Sequence, residues 1–209
     1  MSYLTIGSGD VANLLMGKQT KGYQNLWRKF LDDRPPYYNA LASPIDALRT
    51  GAILETNYLN YLPDGYFTQV KSTFDELDVC TSSIDFAKIE EGDIIDFDEL
   101  KTIFLPDYIS IILPLAGLPI NEQKKQLKKY FKNNYNQVQF QLLCTGLQEA
   151  NLVFLSVESY DDEANKKRII GDTNVTKFRL DRDPEIIEII YDRVSIFQKV
   201  KDHFIQQIK

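Results

Sequence analysis

Several residue types are scarce in this chain, and each scarcity narrows what it can be. Two cysteines in 209 residues, Cys80 and Cys144, are too few for a disulfide framework or a four-cysteine metal cluster. They read as reduced thiols in or near a core, which points to the cytoplasm. No apolar run reaches membrane-spanning length, because the longest, Ile109 to Ile120, is interrupted by Pro114, Gly117 and Pro119. The first residues, Met1-Ser2-Tyr3-Leu4-Thr5, lack a basic region followed by an apolar stretch, so no signal peptide is expected. Basic residues are outnumbered, 24 Lys and Arg against 30 Asp and Glu, for a net charge of −6. That balance lowers the expectation of a nucleic-acid partner without excluding one, since binding depends on where the charge sits. The single histidine, His203, reads as helix surface or a partner of a helix dipole.

What is present describes a globular chain, 44% hydrophobic, long enough for one well-buried core. With no internal repeat, low-complexity tract or Gly/Ser linker, residues 1–209 read as one domain. Asp10 is placed to cap a short helix ending near Gly17, and a second helix is expected from Tyr23 to Leu31. Ser43-Pro44 supplies an N-cap and a first-turn proline for a helix from Ile45 to about Leu62. The period then changes. Tyr66 onward, Ile84 to Ile89 and Asp93 to Phe104 read as strands, the last two joined through Glu90-Glu91-Gly92-Asp93 as a hairpin. Helices are expected over Glu122–Tyr130 and Tyr135–Leu147, strands over Asn151–Ser156 and Val175–Leu180, and a closing helix from Pro184 to Ile208. The fold class is therefore α/β, a central mixed sheet flanked by helices.

The segment richest in chemistry is Asp85, then thirteen residues, then Glu99-Leu100-Lys101. Strand alternation puts Glu99 and Lys101 on one face with Phe97 and Ile95, and leaves the Leu100 carbonyl near the Glu99 carboxylate. If the hairpin forms, Asp85 lies close to Glu99. Two carboxylates and a carbonyl suit Mg²⁺, with Mn²⁺ able to substitute. Lys101 beside them would orient water and offset phosphate charge. Taken alone, Glu-X-Lys on an acidic strand is more often a solvated face with a cross-strand ion pair, and Asp96 and Asp98 strengthen that bland reading.

The order of the neighbouring segments adds what the triplet lacks. Ile6-Gly7-Ser8-Gly9-Asp10-Val11, Leu48-Arg49-Thr50-Gly51-Ala52-Ile53-Leu54-Glu55, Asp85 with Glu99-Leu100-Lys101, Tyr135 through Gln141, and Leu152-Val153-Phe154 follow one another along nearly the whole chain. In that order they resemble the lambda-exonuclease-like (viral recombinase) branch of the PD-(D/E)XK nucleases. The resemblance implies that fold and a Mg²⁺-dependent exonuclease acting on double-stranded DNA ends, 5′-to-3′, in phage-type recombination or end processing. It assigns Asp85, Glu99 and Leu100 to a metal, with Glu55 supporting it, Lys101 as the catalytic lysine, and Gln137 holding the lysine, water or phosphate. It also implies a homotrimeric ring, a single-strand annealing protein as partner, and the host cytoplasm if the chain is phage-encoded. Two features depart from the pattern: Ile84 stands where a proline is usual, and Gly9 separates Ser8 from Asp10.

DNA contacts are expected from Ser8, Arg49 and a cationic stripe. Lys124, Lys128 and Lys132 recur every four residues and share a helix face, though a solvated charged face is an equally good reading of such a run. Rival functions are a structure-specific or restriction-like endonuclease and a catalytically inactive DNA-binding module.

Overall fold

The computed structural model describes residues 4–31 and 45–208, so the Ser43-Pro44 cap lies outside the described residues. Six strands form one mixed sheet: β1 (Ile6–Gly7), β2 (Tyr66–Thr73), β3 (Cys80–Glu90), β4 (Asp93–Phe104), β5 (Glu149–Val157) and β6 (Val175–Asp181). Neighbours run β1-β3-β4-β5-β6, with β2 also paired to β3. The β3–β4 hairpin turns through Glu91 and Gly92, both at positive φ (53° and 95°), the backbone that a tight two-residue turn demands.

Helices cover both faces. A 3₁₀ turn (Ser8–Asp10) leads into α1 (Val11–Leu14), followed by α2 (Lys21–Leu31) and α3 (Asp46–Tyr61). Beyond β4 come α4 (Leu105–Asp107), a π-helical turn (Tyr108–Ile112), α5 (Leu113–Ala116), α6 (Ile120–Tyr130) and α7 (Lys132–Thr145). Then α8 (Asp162–Lys166) precedes β6, and α9 (Pro184–Ile208) closes the chain. The helical run between Leu105 and Ala116, and α8, are not anticipated by the sequence reading. Pro106, Pro114 and Gly117 hide the period there, yet both prolines sit in first turns, where a missing N–H costs nothing. Asp10 stands at the N-cap of α1, as expected, but its side chain makes no capping bond to that helix: Oδ2 accepts the Gly7 N–H at 3.1 Å, closing the preceding 3₁₀ turn, and Oδ1 meets Lys29 Nζ at 2.6 Å.

Three apolar clusters hold these layers. Phe97, Val138, Leu142, Leu152 and Phe178 join the sheet to α7. Leu54, Tyr58, Phe86, Leu100 and Val153 join its opposite face to α3. Ile6, Leu14, Phe30, Phe140 and Phe197 gather the N-terminal helices around α9, where Trp27 stacks on Phe197 at 3.9 Å. Among the described residues no helix is long and apolar enough to cross a membrane.

One irregularity in the sheet positions everything that follows. Thr81 pairs with Gly7 of β1 and with Thr73 of β2, so those strands occupy opposite edges of β3. β1 therefore shares an edge with β4. The β4 ladder stops at Phe86 opposite Asp98, and β1 takes over only at Thr81 and Cys80. Between them, residues 82–85 form a stretch of β3 with no strand paired on that edge among the described residues, a gap into which side chains enter.

Candidate active site

The backbone around this gap is satisfied by side chains instead of a ladder. Leu100 N–H donates to Asp85 Oδ2 at 3.0 Å, in place of a β3 carbonyl. The Ser83 carbonyl accepts from Gln141 Nε2 at 3.3 Å, and the same nitrogen donates to Glu99 Oε2 at 2.5 Å. Lys101 Nζ donates to the other oxygen, Glu99 Oε1, at 2.5 Å. Glu99 is thus fully buried with a cation on one oxygen and an amide on the other. Leu100 turns its side chain to the α3 side, as alternation requires, while its main chain stays at the cluster.

Helix α3 delivers a third carboxylate. It approaches β4 so closely that a Cβ on Gly51 would lie 3.9 Å from Thr102 Oγ1. Four residues on, on the same helix face, Glu55 meets the charges of Glu99 and Lys101. Gln69 hydrogen-bonds Glu55 and accepts from Ser83 Oγ at 2.9 Å. Gln69 sits between Thr68 and Val70, whose partners Phe86 and Ile84 bracket Asp85. Its φ of 54° is one that a residue with a Cβ adopts only when its surroundings hold it there.

The electrostatics show what the cluster lacks. Burial, and then the charge of Glu99, push the Asp85 carboxyl well above its usual range. Burial, with Glu99 next, also raises Glu55. For Lys101, burial works to lower the ammonium, but the carboxylates of Glu99, Asp85 and Glu55 together outweigh it and the net shift is upward. Three carboxylates around one ammonium leave an excess of negative charge in a poorly solvated place. Gln141 Oε1 is buried there with no hydrogen-bond partner. Hard oxygen donors, unrelieved negative charge and an unpartnered acceptor are the surroundings that a divalent cation and its waters satisfy. As the side chains stand, no three acidic, histidine or cysteine groups among the described residues are gathered closely enough to hold an ion. The donor set fits; a cation would have to draw it together.

The remaining sequence candidates distribute unevenly. Gln137 lies one turn before Gln141 on α7, half-buried and without a hydrogen bond among the described residues. The glutamine that touches Glu99 is Gln141. Period could not choose between them, because α7 buries polar Asn136, Gln139 and Gln141 along with its apolar residues. Gln139 serves elsewhere, clamping Asp183 N and the Asp181 carbonyl. Ser8 is buried in the 3₁₀ turn. Arg49 lies against α8 and pairs with Asp46 (2.7 Å) and Asp162 (3.0 Å). Lys124 is ion-paired to Asp181, and Lys128 to Asp183 at 2.5 Å, so this part of the stripe ties α6 to the end of β6. Lys132 is exposed and carries no ion pair among the described residues.

Comparison with known proteins locates this architecture. No protein-family model and no curated protein matches the chain. Solved structures do. An alkaline exonuclease (LHK-Exo) from Laribacter hongkongensis is similar at a TM-score of 0.60 and 20% identity, over 99% of this chain and 93% of that one. The same exonuclease in complex with dAMP is similar at 0.58 and 20%, over 100% and 93%. A phage-related exonuclease from Haemophilus somnus is similar at 0.54 and 14%, over 99% and 97%. The chain shares the fold of these structures, a central mixed sheet flanked by helices.

Proposed function

We propose that this chain is a metal-dependent deoxyribonuclease that hydrolyses linear double-stranded DNA from its ends, 5′-to-3′, in the cytoplasm, during phage-type recombination or end processing. The observation that carries the reading is the interrupted sheet edge, where Asp85, Glu99, Glu55 and Lys101 meet on the fold of exonucleases. Asp85, Glu99 and the Leu100 carbonyl would hold Mg²⁺ or Mn²⁺, with Glu55 holding the ion or its water. Such a cation, when bound, makes a water acidic enough to attack at neutral pH and offsets charge on the scissile phosphate. Lys101, which already donates to Glu99, would act as a positive donor to water or phosphate. Gln141 fixes one oxygen of Glu99 and presents Oε1 as an acceptor for the Lys101 ammonium or a water. Gln137, one turn away, is left for the substrate.

DNA contact is proposed for Lys132 first. Lys124, Lys128 and Arg49 would join only by exchanging Asp181, Asp183 and Asp162 for phosphates, and Ser8 only by opening its turn. A ring of three copies would retain the duplex by topology, which suits a chain of net charge −6. An annealing protein would take up the strand it leaves.

The test uses linear and closed circular duplex DNA with Mg²⁺ or with EDTA, beside Glu99→Gln and Lys101→Ala. Loss of linear DNA alone, dependent on metal and absent from both variants, is the expected result. Cutting of circles would replace the exonuclease reading with an endonuclease. No cleavage with Mg²⁺ or Mn²⁺ would leave an inactive DNA-binding module.

A further inference from the structure

Strand alternation reverses at one level of the sheet. Along β3, Ile84 packs in the cluster with Val138 and Leu142 of α7, whereas Phe86 packs with Leu54 and Tyr58 of α3. Two residues apart on a regular strand, they would share a face. Along β2 the same reversal occurs: Tyr66 packs on the α3 side and Val70 on the α7 side. Thr68 still pairs with Phe86, and Val70 with Ile84, so each strand turns over through one residue and the register holds. On β3 that residue is Asp85, whose Oδ2 accepts the Leu100 N–H at 3.0 Å. On β2 it is Gln69.

Gln69 turns over at φ 54°, a left-handed backbone in the middle of a paired strand. Glycine takes that conformation freely and asparagine more readily than most residues, while glutamine has no such preference. Gln69 is exposed, so burial in the core does not hold it there. What it has is reach. Its Oε1 accepts from Ser83 Oγ at 2.9 Å, and its side chain hydrogen-bonds the Glu55 carboxylate. One side chain thus ties β3, two residues before Asp85, to the acidic group that α3 brings to the cluster.

We propose that Gln69 is a positioning residue for the carboxylate cluster, held in a strained backbone so that its side chain fixes Glu55 beside Asp85 and Glu99. Asp85 is oriented by a backbone N–H, and Glu99 by Lys101 and Gln141. For Glu55, Gln69 is the hydrogen-bond partner found among the described residues. A partner of this kind orients a ligating carboxylate and tunes affinity for the ion. Glycine at this position would relieve the backbone but supply no side chain, and asparagine would tolerate the backbone but fall one methylene short. Glutamine meets the requirement of reach at the cost of the backbone, which is the pattern of strain kept at a functional site. The role is orientation, not contact with the reacting atoms. It rests on the reading of the cluster as a divalent-cation site.

The test compares wild type, Gln69→Gly, Gln69→Asn and Glu55→Gln by thermal melting without metal, by calorimetric Mn²⁺ titration and by cleavage of linear DNA. Gln69→Gly should melt no lower than wild type, because glycine relieves the backbone, yet bind Mn²⁺ about 10- to 100-fold more weakly. Its cleavage should fall about tenfold in kcat with KM for DNA unchanged. Gln69→Asn should match Gln69→Gly in both respects, which separates reach from backbone. Added to Glu55→Gln, the glycine substitution should weaken Mn²⁺ binding no further, since the two residues act through one contact. Wild-type Mn²⁺ affinity in Gln69→Gly, a lowered melting temperature, or an equal loss in both backgrounds would overturn the positioning role and leave the nuclease reading standing. No Mn²⁺ uptake by the wild type would overturn the cation site and this role with it. Mn²⁺ uptake with the expected losses but no cleavage by the wild type would support the role and count against the nuclease reading only.

Discussion

Asp98 and Glu99 are adjacent on β4, both fully buried, and they face opposite sides of one sheet. Asp98 is answered on every side. Tyr58 Oη donates to it at 2.6 Å, Lys177 Nζ at 2.7 Å and Asn151 Nδ2 at 2.7 Å, so α3, β5 and β6 all converge on one carboxylate. Glu99 is answered by Lys101 and Gln141 and then crowded by Asp85 and Glu55. The first is a structural ion cluster. The second is a site held short of positive charge. The difference comes from the ladder, which runs on β4 through Asp98 and ends there, leaving the next residue beside an open strand edge. The two are also linked, because the Tyr58–Asp98 bond pins the turn of α3 that follows Glu55.

Substitutions should separate the two carboxylates cleanly. Glu99→Gln is expected to lower DNA cleavage at least about a thousandfold without lowering the denaturant midpoint, since it removes a like charge from the cluster. Asp98→Ala is expected to do the reverse in kind, reducing unfolding free energy by about 3 kcal/mol. The low end of the range applies because Lys177 is 35% exposed and can turn to water. Cleavage per folded molecule should fall much less than in Glu99→Gln. Gln141→Ala should lower cleavage about 10- to 100-fold through loss of Glu99 orientation, and Gln137→Ala less, in steady-state assays. Equal effects of the two glutamines would erase the distinction drawn from the Glu99 contact.

The smallest effect is one of pH. Asp85 and Glu55 have folded-state pKa values raised above their ordinary 3.8 and 4.5, so their contribution to stability is present below those values and declines as pH rises through the raised ones. Metal-free protein should therefore lose stability from this pair on going from mildly acidic to neutral pH, by at most about 1.4 kcal/mol per pH unit for each group. Thermal melts across that window, with Glu55→Gln alongside, check the sign; a flatter profile in the variant is expected. Saturating Mg²⁺ should raise the neutral-pH melting temperature and remove most of the slope.

Much of the sheet was legible because its signals are local. The turn glycine at 92, the alternation through Glu99 and Lys101, and the first-turn proline of α9 each act within a few residues. The approach of Glu55 was reached through resemblance and could not have come from period, since nothing within α3 says which strand it will cross. The sequence reading missed the helical run after β4, whose prolines look like breakers until they are seen in first turns. The reading names Gln137, one turn from Gln141, and a helix buried nearly all round gives no phase to choose between them. The lysine stripe was visible, but its partners Asp181 and Asp183 lie on the far side of the sequence, and only the fold brings them to α6.

The central claim is that the Glu99 face, and not the Asp98 face, takes a divalent cation. Calorimetric titration of wild type and Glu99→Gln with Mn²⁺ at neutral pH tests it most directly. The account predicts uptake by the wild type, and none by the variant. Equal uptake by both proteins, or none by the wild type, would contradict it.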